Sequence, residues 1–170
     1  MKNLNLTPFQ PADFGRFISW LDNQELLFQI AGTYFTFPVT EDQLHNYLAD
    51  GKSIAFNVVD PEPDTIIGHA EIILLGNSRV KLDKVIIGDP SMRGKGLGGQ
   101  LIEALLAYAF GELQATDVEL LVFDWNMAGI KCYEKAGFTF AAHEMPPFEI
   151  GGKSWGVKKM EINSSKFPSR

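Results

Sequence analysis

The chain has 170 residues, of which 45% are hydrophobic and 21% charged, as expected for a single globular domain with a sizeable core. Its formal net charge of −6 argues against nucleic acid as a partner. No apolar run reaches membrane-spanning length and the first residues lack a signal-peptide core, so we expect a cytoplasmic protein without a membrane partner. The single cysteine, Cys132, excludes an internal disulfide.

The N-terminal third predicts a strand and two helices. Residues 3–9 favour a short strand, and the segment from Pro11 to about residue 23 has the apolar spacing of a helix. The aromatic-rich stretch 24–39 fits no single element. Thr40 and Gln43 then form the pattern of a capping box, which predicts a helix to about residue 50.

The middle of the chain predicts three strands, at residues 53–59, 65–75 and 80–87, joined by short turns. Asp89-Pro90 ends the third strand, and the glycine-rich run 93–99 leads into an amphipathic helix. A glycine-rich turn at a helix start presents unpaired N–H groups and the positive end of the helix dipole. This stretch is therefore predicted to bind a phosphate or pyrophosphate.

Three phosphate-binding motifs compete for this loop. A P-loop fails, because both Gly-Lys-Ser triplets of the chain lack the first glycine of that motif. Residues 94–99 match the dinucleotide fingerprint G-x-G-x-x-G, and Asp117 follows at a suitable distance, but such a lone match is weak. The third motif is Arg-x-x-Gly-x-Gly, formed by Arg93, Gly96 and Gly98.

A second block, residues 118–140, supports the third motif. It consists of an apolar strand, then Asn126, then a short helix that carries Tyr133 and ends in Glu-Lys-Ala-Gly-Phe. The two blocks together, in this order, resemble the GNAT superfamily of acyl-CoA-dependent N-acetyltransferases. A strand–helix unit ended by a glycine would explain the second block alone, but not the first block upstream of it.

The resemblance implies an α/β (α+β) fold with a mixed, mostly antiparallel central sheet of six to seven strands flanked by about four helices. We expect one domain over residues 1–163 and a loosely ordered tail over residues 164–170. The implied reaction moves an acetyl group from acetyl-CoA to a primary amine of a small molecule (amine, polyamine or amino acid) or peptide. Transfer by direct attack in a ternary complex, without a metal, is expected, and a homodimer is common in the family.

The resemblance also assigns the site residues. Tyr133 would be the general acid that protonates the CoA thiolate, and Glu71 the general base. His69 on the same strand face and then Asp83 are the alternatives for the base, and Ile67 is predicted to share that face. The backbone of Ile86 and Gly88 would hold the cofactor at the strand. In the loop, the cofactor would be held by Arg93, Gly94, Lys95, Gly96, Gly98 and Gly99. Asn126 would complete the site and is also a candidate helix N-cap.

The acceptor is less well determined. Residues 24–39 either pack beneath a loop or form one wall of the amine site, as the corresponding region does in the family. Leu121 stands where enzymes acting on protein N-termini often carry a glutamate, which argues against that role. The remaining alternatives are a non-catalytic acyl-CoA-binding sensor, a protein N-terminal acetyltransferase and a nicotinamide-dependent oxidoreductase.

Overall fold

A computed structural model describes residues 3–168 of the chain. Within this range lie five α-helices: α1 Phe14–Trp20, α2 Gln24–Ala31, α3 Glu41–Ala49, α4 Leu97–Ala107 and α5 Met127–Ala136. The strands are β1 Asn5–Pro8, β2 Ser53–Asp60, β3 Thr65–Gly76, β4 Arg79–Ile87, β5 Asp117–Phe123, β6 Thr139–Phe140, β7 Phe148–Ile150, β8 Lys153–Trp155 and β9 Val157–Asn163.

Seven of these strands form one sheet in the order β1-β2-β3-β4-β5-β9-β6, and β7 and β8 form a separate hairpin. Every neighbouring pair in the large sheet is antiparallel except β4 and β5, which are parallel. The predicted mixed, mostly antiparallel sheet of six to seven strands is therefore confirmed. Apolar residues of α4 and α5 pack on one face of the sheet, whereas α1, α2 and α3 cover the other.

The helix α2 lies in the aromatic-rich stretch for which the sequence predicted no element. The side chain of Asn23 caps it by accepting a hydrogen bond from the N–H of Leu26 at 2.8 Å. Gly32, with φ of 54°, ends it. Leu27 and Ala31 are the buried residues of α2, so this helix belongs to the packed layer and brings its C-terminal end towards β4.

The strands β4 and β5 separate after a short parallel contact. Arg79–Leu82 pairs with Asp117–Leu120, and the pairing stops there. A bulge lies just beyond, since the register of β4 against β3 shifts between His69 and Glu71, and Lys84 has a positive φ of 48°. A bulge kinks its strand and increases the local twist. The second half of β4 is thereby directed away from β5, and a cleft opens between them.

Two details differ from the expectations. Ile67 packs with Ala70 in the core beneath α4, not on the face of His69, because a second bulge between β2 and β3 leaves it as an extra residue. The segment predicted as a loosely ordered tail contains a 3₁₀ turn at Ser164–Lys166, and the ring of Phe167 packs against the core. Residues 169 and 170 of that tail lie outside the described residues.

Candidate active site

The glycine-rich loop leads from the end of β4 into α4. Gly94 and Gly96 both have a φ of 75°, which favours glycine, and Gly96 is the N-cap of α4 without a side-chain hydrogen bond to the helix. A Cβ atom added at either glycine would meet nothing within 4 Å. The first N–H groups of α4 are therefore approachable from outside, as the predicted pyrophosphate site requires.

The side chain of Arg93 fixes this loop to the strand. Its Nε donates to the carbonyl of Ile87 at 3.0 Å, and its guanidinium donates a second hydrogen bond to the carbonyl of Gly88 at 3.1 Å. The ammonium of Lys95 lies 3.6 Å from the sulfur of Met92. Arg93 thus has a structural role in shaping the loop, while Lys95 leaves its charge exposed beside it.

At the end of β4, the residues that the resemblance assigned to the pantetheine arm use their backbone N–H groups in pairing with β3. The N–H of Gly88 donates to the carbonyl of Ile67 on β3 at 2.8 Å, and its own carbonyl accepts from Arg93. Ile86, two residues earlier, lies opposite His69 and directs its N–H to the same edge. The residue whose N–H faces the cleft is Ile87, so Ile86 and Gly88 do not offer free N–H groups to a pantetheine arm.

A cavity of about 340 Å³ occupies the cleft between β4 and β5. Tyr133, Asn126 and Asp83, which are far apart in the sequence, all line it. The Oδ1 of Asn126 accepts a hydrogen bond from the N–H of Gly129 at 3.1 Å, so this residue caps α5 as well as facing the cavity. Tyr133 and Asn126, which were predicted as site residues, and Asp83, an alternative for the general base, therefore line the same cavity.

Tyr133 carries a phenol that stays protonated. Burial raises the pKa of Tyr133 to about 12, and the charges of Cys132 and Asp83 act in the same direction. The ring packs against Phe138 with a centroid separation of 5.9 Å. A neutral phenol on the cavity wall is a hydrogen-bond donor at every physiological pH.

Glu71, the predicted base, lies behind the cavity wall. Its carboxylate accepts a hydrogen bond from the Nζ of Lys84 at 2.6 Å, and the two side chains are only 3% and 2% exposed. Lys84 lines the cavity and Glu71 does not. The ammonium of Lys84 also lies over the ring of Tyr34, 4.1 Å from its centroid. An amine in the cavity would meet Lys84 before it met Glu71.

The two alternatives for the base have opposite environments. His69 is fully buried against Phe9 and Phe17, and burial, reinforced by the charge of Lys84, lowers the pKa of His69 to about 3. It does not line the cavity. Asp83 does, and its carboxylate is held by the Nζ of Lys81 at 3.0 Å and by the N–H of Lys84 at 2.8 Å. Of the candidate bases Glu71, His69 and Asp83, only Asp83 lines the cavity.

Two features of the cavity were missed by sequence reasoning. The first is Lys84, which a regular strand would have directed to the opposite face of the sheet. The second is the contribution of β5 and β7, whose Phe123 and Phe148 join Phe28 and Tyr34 of the stretch 24–39 in lining the cavity. The wealth of aromatic residues in 24–39 was the available signal, and Phe28 and Tyr34 do form part of the wall that was one of its two predicted roles.

Comparison with known proteins agrees with this geometry. Residues 18–138 match the family model described as Acetyltransferase (GNAT) family. This match covers more than half of the chain and spans both the glycine loop and the Tyr133 helix. The chain therefore belongs to the GNAT family, and it is an acetyl-CoA-dependent N-acetyltransferase.

Several relatives extend over most of the chain. The spermidine N(1)-acetyltransferase of Vibrio cholerae is 29% identical over 169 residues, which cover 98% of this chain and 96% of that protein. A crystal structure of spermidine N-acetyltransferase from Vibrio cholerae in complex with CoA and spermine has a TM-score of 0.80 and covers 96% of this chain and 97% of that one. The human alpha/beta-tubulin-N-acetyltransferase 9 is 25% identical over 154 residues, covering 83% of this chain and 74% of that protein.

A dodecameric structure of the Vibrio cholerae spermidine N-acetyltransferase is also similar, with 25% identity, a TM-score of 0.77 and coverage of 96% of this chain and 95% of that chain. Between residues 3 and 168, none of the helices combines the length and apolar character needed to span a membrane.

Proposed function

We propose that this enzyme acetylates the primary amine of a small molecule by direct attack of the amine on acetyl-CoA in a ternary complex. The observation that carries the proposal is the convergence of Tyr133, Asp83 and Asn126 in one cavity, which is lined by β4, the strand that leads into the open N-terminus of α4. A cofactor whose pyrophosphate lies on that helix would direct its thioester into the cleft between β4 and β5.

The cofactor contacts follow from the free backbone groups. The N–H of Arg93 donates to the carbonyl of Pro90 at 3.3 Å, so the N–H groups from Gly94 through Gly99 would surround the pyrophosphate, and Lys95 would add positive charge. The pantetheine arm would pair with β4 through the N–H of Ile87, which faces the cleft, and Asn126 would contact its inner end. In this arrangement the extended arm would take the position of a neighbouring strand.

The amine must lose a proton before it attacks. An alkyl ammonium has a pKa of about 10, so roughly one molecule in a thousand is nucleophilic at neutral pH. Asp83 is the proton acceptor in this proposal, directly or through a water, because its carboxylate lines the cavity. Glu71 has the supporting role of holding the ammonium of Lys84 at 2.6 Å.

Tyr133 acts as the general acid when the carbon–sulfur bond breaks. The raised pKa of about 12 keeps the proton on the phenol throughout the working pH range, so the hydroxyl can donate to the developing thiolate.

Among small-molecule amines, polyamines are the acceptors that the relatives named as spermidine acetyltransferases favour. A purely regulatory acyl-CoA-binding role would not need the phenol in the cavity. Self-association, predicted as a homodimer, is supported by the dodecameric relative.

The test is release of CoA thiol from acetyl-CoA in the presence of a panel of primary amines, with the wild-type enzyme and Tyr133→Phe. We expect kcat to fall by about 100-fold in Tyr133→Phe while the Kd for acetyl-CoA stays within about twofold. Tyr108→Phe is the matched control, because Tyr108 packs against Phe56 outside the cavity. An unchanged kcat in Tyr133→Phe would remove Tyr133 from the mechanism.

A further inference from the structure

A buried phenol that the proposed mechanism leaves unused lies behind the cavity wall. Tyr47, on α3, is only 2% exposed and does not line the cavity. Its hydroxyl oxygen is 3.2 Å from Nε2 of His69, and the Nζ of Lys84 lies 5.3 Å from the centroid of its ring. Tyr47 therefore contacts the buried polar cluster from the side opposite to the space proposed for the acceptor.

The donors and acceptors of this cluster follow from its chemistry. Burial raises the pKa of Tyr47 well above its usual value, and the charges of Glu71 and Asp83 and a hydrogen bond to Glu71 act in the same direction. The protonated phenol donates to the carboxylate of Glu71, so its oxygen accepts from the Nε2–H of His69. Nδ1 of His69 then carries a lone pair, and it has no hydrogen-bond partner among the described residues.

The chain of hydrogen bonds ends at the ammonium of Lys84, which lies between two carboxylates. Its Nζ is 2.6 Å from Oε2 of Glu71 and 3.8 Å from Oδ1 of Asp83. An ammonium that moved closer to Asp83 would favour the charged form of that carboxylate and make it a weaker proton acceptor. The orientation of the Glu71 carboxylate therefore determines how much of the Lys84 charge acts on Asp83.

We propose that Tyr47 is a positioning residue, whose hydroxyl holds the carboxylate of Glu71 on the ammonium of Lys84 and so keeps Asp83 available as the proton acceptor. The terminal torsion of a glutamate is broad, so a carboxylate with one donor can rotate, whereas a second donor fixes its plane. His69 completes the chain by fixing the hydroxyl of Tyr47. This inference rests on the proposed acetyl transfer with Asp83 as proton acceptor, and adds a residue that acts on Asp83 from outside the cavity.

The experiment is a double-mutant cycle on kcat with Tyr47→Phe and Glu71→Gln, using the amine that the wild-type enzyme turns over fastest. Tyr47→Phe keeps the ring and removes the hydroxyl, and Glu71→Gln keeps the shape of the side chain and removes its charge. We expect kcat to fall about three- to tenfold in each single variant, while KM for the amine and Kd for acetyl-CoA stay within about twofold. Because Tyr47 acts through Glu71, Tyr47→Phe should change kcat by less than about twofold in the Glu71→Gln background.

A purely structural role for Tyr47 gives a different result. Tyr47→Phe would then lower kcat by the same factor in both backgrounds, or leave kcat unchanged while lowering the urea midpoint, and either result would overturn the proposal. His69→Leu is a second variant on the same chain, because it removes the donor to the Tyr47 hydroxyl, and it should lower kcat only where Glu71 is present. Tyr108→Phe is the matched control, since its ring packs against Phe56 and kcat should not change.

Asp83→Asn separates failure of this inference from failure of the proposed function. A loss of kcat of about 100-fold in Asp83→Asn, combined with equal effects of Tyr47→Phe in both backgrounds, would overturn the positioning role alone. An unchanged kcat in Asp83→Asn would exclude Asp83 as the proton acceptor and overturn the inference with it. Absence of turnover of every amine by wild-type enzyme that binds acetyl-CoA would contradict the acetyl transfer itself.

Discussion

The ion pair between Lys84 and Glu71 is the part of the cavity wall whose removal should have the largest effect on stability. Its Nζ and Oε2 atoms are 2.6 Å apart, and the side chains are 2% and 3% exposed. The rings of Tyr34 and Tyr47 enclose the ammonium, with centroids at 4.1 Å and 5.3 Å. Lys84→Met keeps roughly the length of the side chain but removes its charge. The carboxylate of Glu71 is then left buried without the lysine.

The expected cost follows from that burial. Removing one partner of a buried ion pair lowers the free energy of unfolding by roughly 3–5 kcal/mol, because the remaining charge stays away from water. Lys84→Met and Glu71→Leu should each show this loss. The double variant removes both charges and forms an apolar contact, so its loss should be smaller than the sum of the single losses by at least about 2 kcal/mol.

The measurement is urea unfolding of the four proteins of this double-mutant cycle, followed by tryptophan fluorescence. Arg79→Met is the control, since Arg79 pairs with Glu119 but its side chain is 48% exposed, and loss of such a surface pair should cost less than about 1 kcal/mol. If the double variant lost as much stability as both single variants combined, the two side chains would not be coupled and the reasoning would be refuted.

Three further variants or conditions have expected outcomes. The pKa of His69 is about 3 in the folded protein and 6.5 in its ordinary state, so the unfolded chain binds a proton first as pH falls. The free energy of unfolding, measured in urea titrations, should therefore drop by roughly 1.5 kcal/mol between pH 6.5 and 5. His69→Gln should lose this pH dependence. Gly88→Ala would bring a Cβ atom to 1.9 Å from the ring of Trp20, so the urea midpoint should fall by the equivalent of about 1–3 kcal/mol. In the control Gly111→Ala the added Cβ atom meets nothing within 4 Å, so the midpoint should not fall. Gly96→Ala strains a φ of 75°, and calorimetry should show acetyl-CoA binding weakened by about tenfold; an unchanged Kd would exclude this turn from the cofactor site.

The parts of the site that lie in continuous stretches of sequence could be predicted. The glycine run and the following apolar spacing indicated a loop and a helix start, and Gly96 is the N-cap of α4. Asn126 was predicted as a cap and does accept from the N–H of Gly129. Such signals depend on turn and capping preferences that act within a few residues. The order of these blocks was sufficient to indicate the family.

Parts that depend on pairing between distant segments could not be predicted. Counting alternate residues placed Glu71 on one face of β3, and the resemblance made that strand the border of the acceptor site, but Lys84 from the next strand covers the carboxylate. The resemblance gave Ile86 and Gly88 as cofactor contacts, whereas the hydrogen bond from Gly88 to Ile67 directs the N–H of Gly88 towards β3. An error of one residue in strand register exchanges the two edges and the two faces.

The bulge in β4 accounts for both the shape and the charge of the cavity. Before it, Val80 and Leu82 pack in the core beneath α4; after it, Ile86 packs in the core formed with α1, α2 and α3. The strand therefore changes face at Lys84, which turns the ammonium towards Glu71 instead of into the core beneath α4. The same extra residue increases the twist that separates β4 from β5. Because one backbone irregularity shapes the cleft proposed for the cofactor and also places the ammonium of Lys84 in its wall, the two halves of the proposed site cannot vary independently.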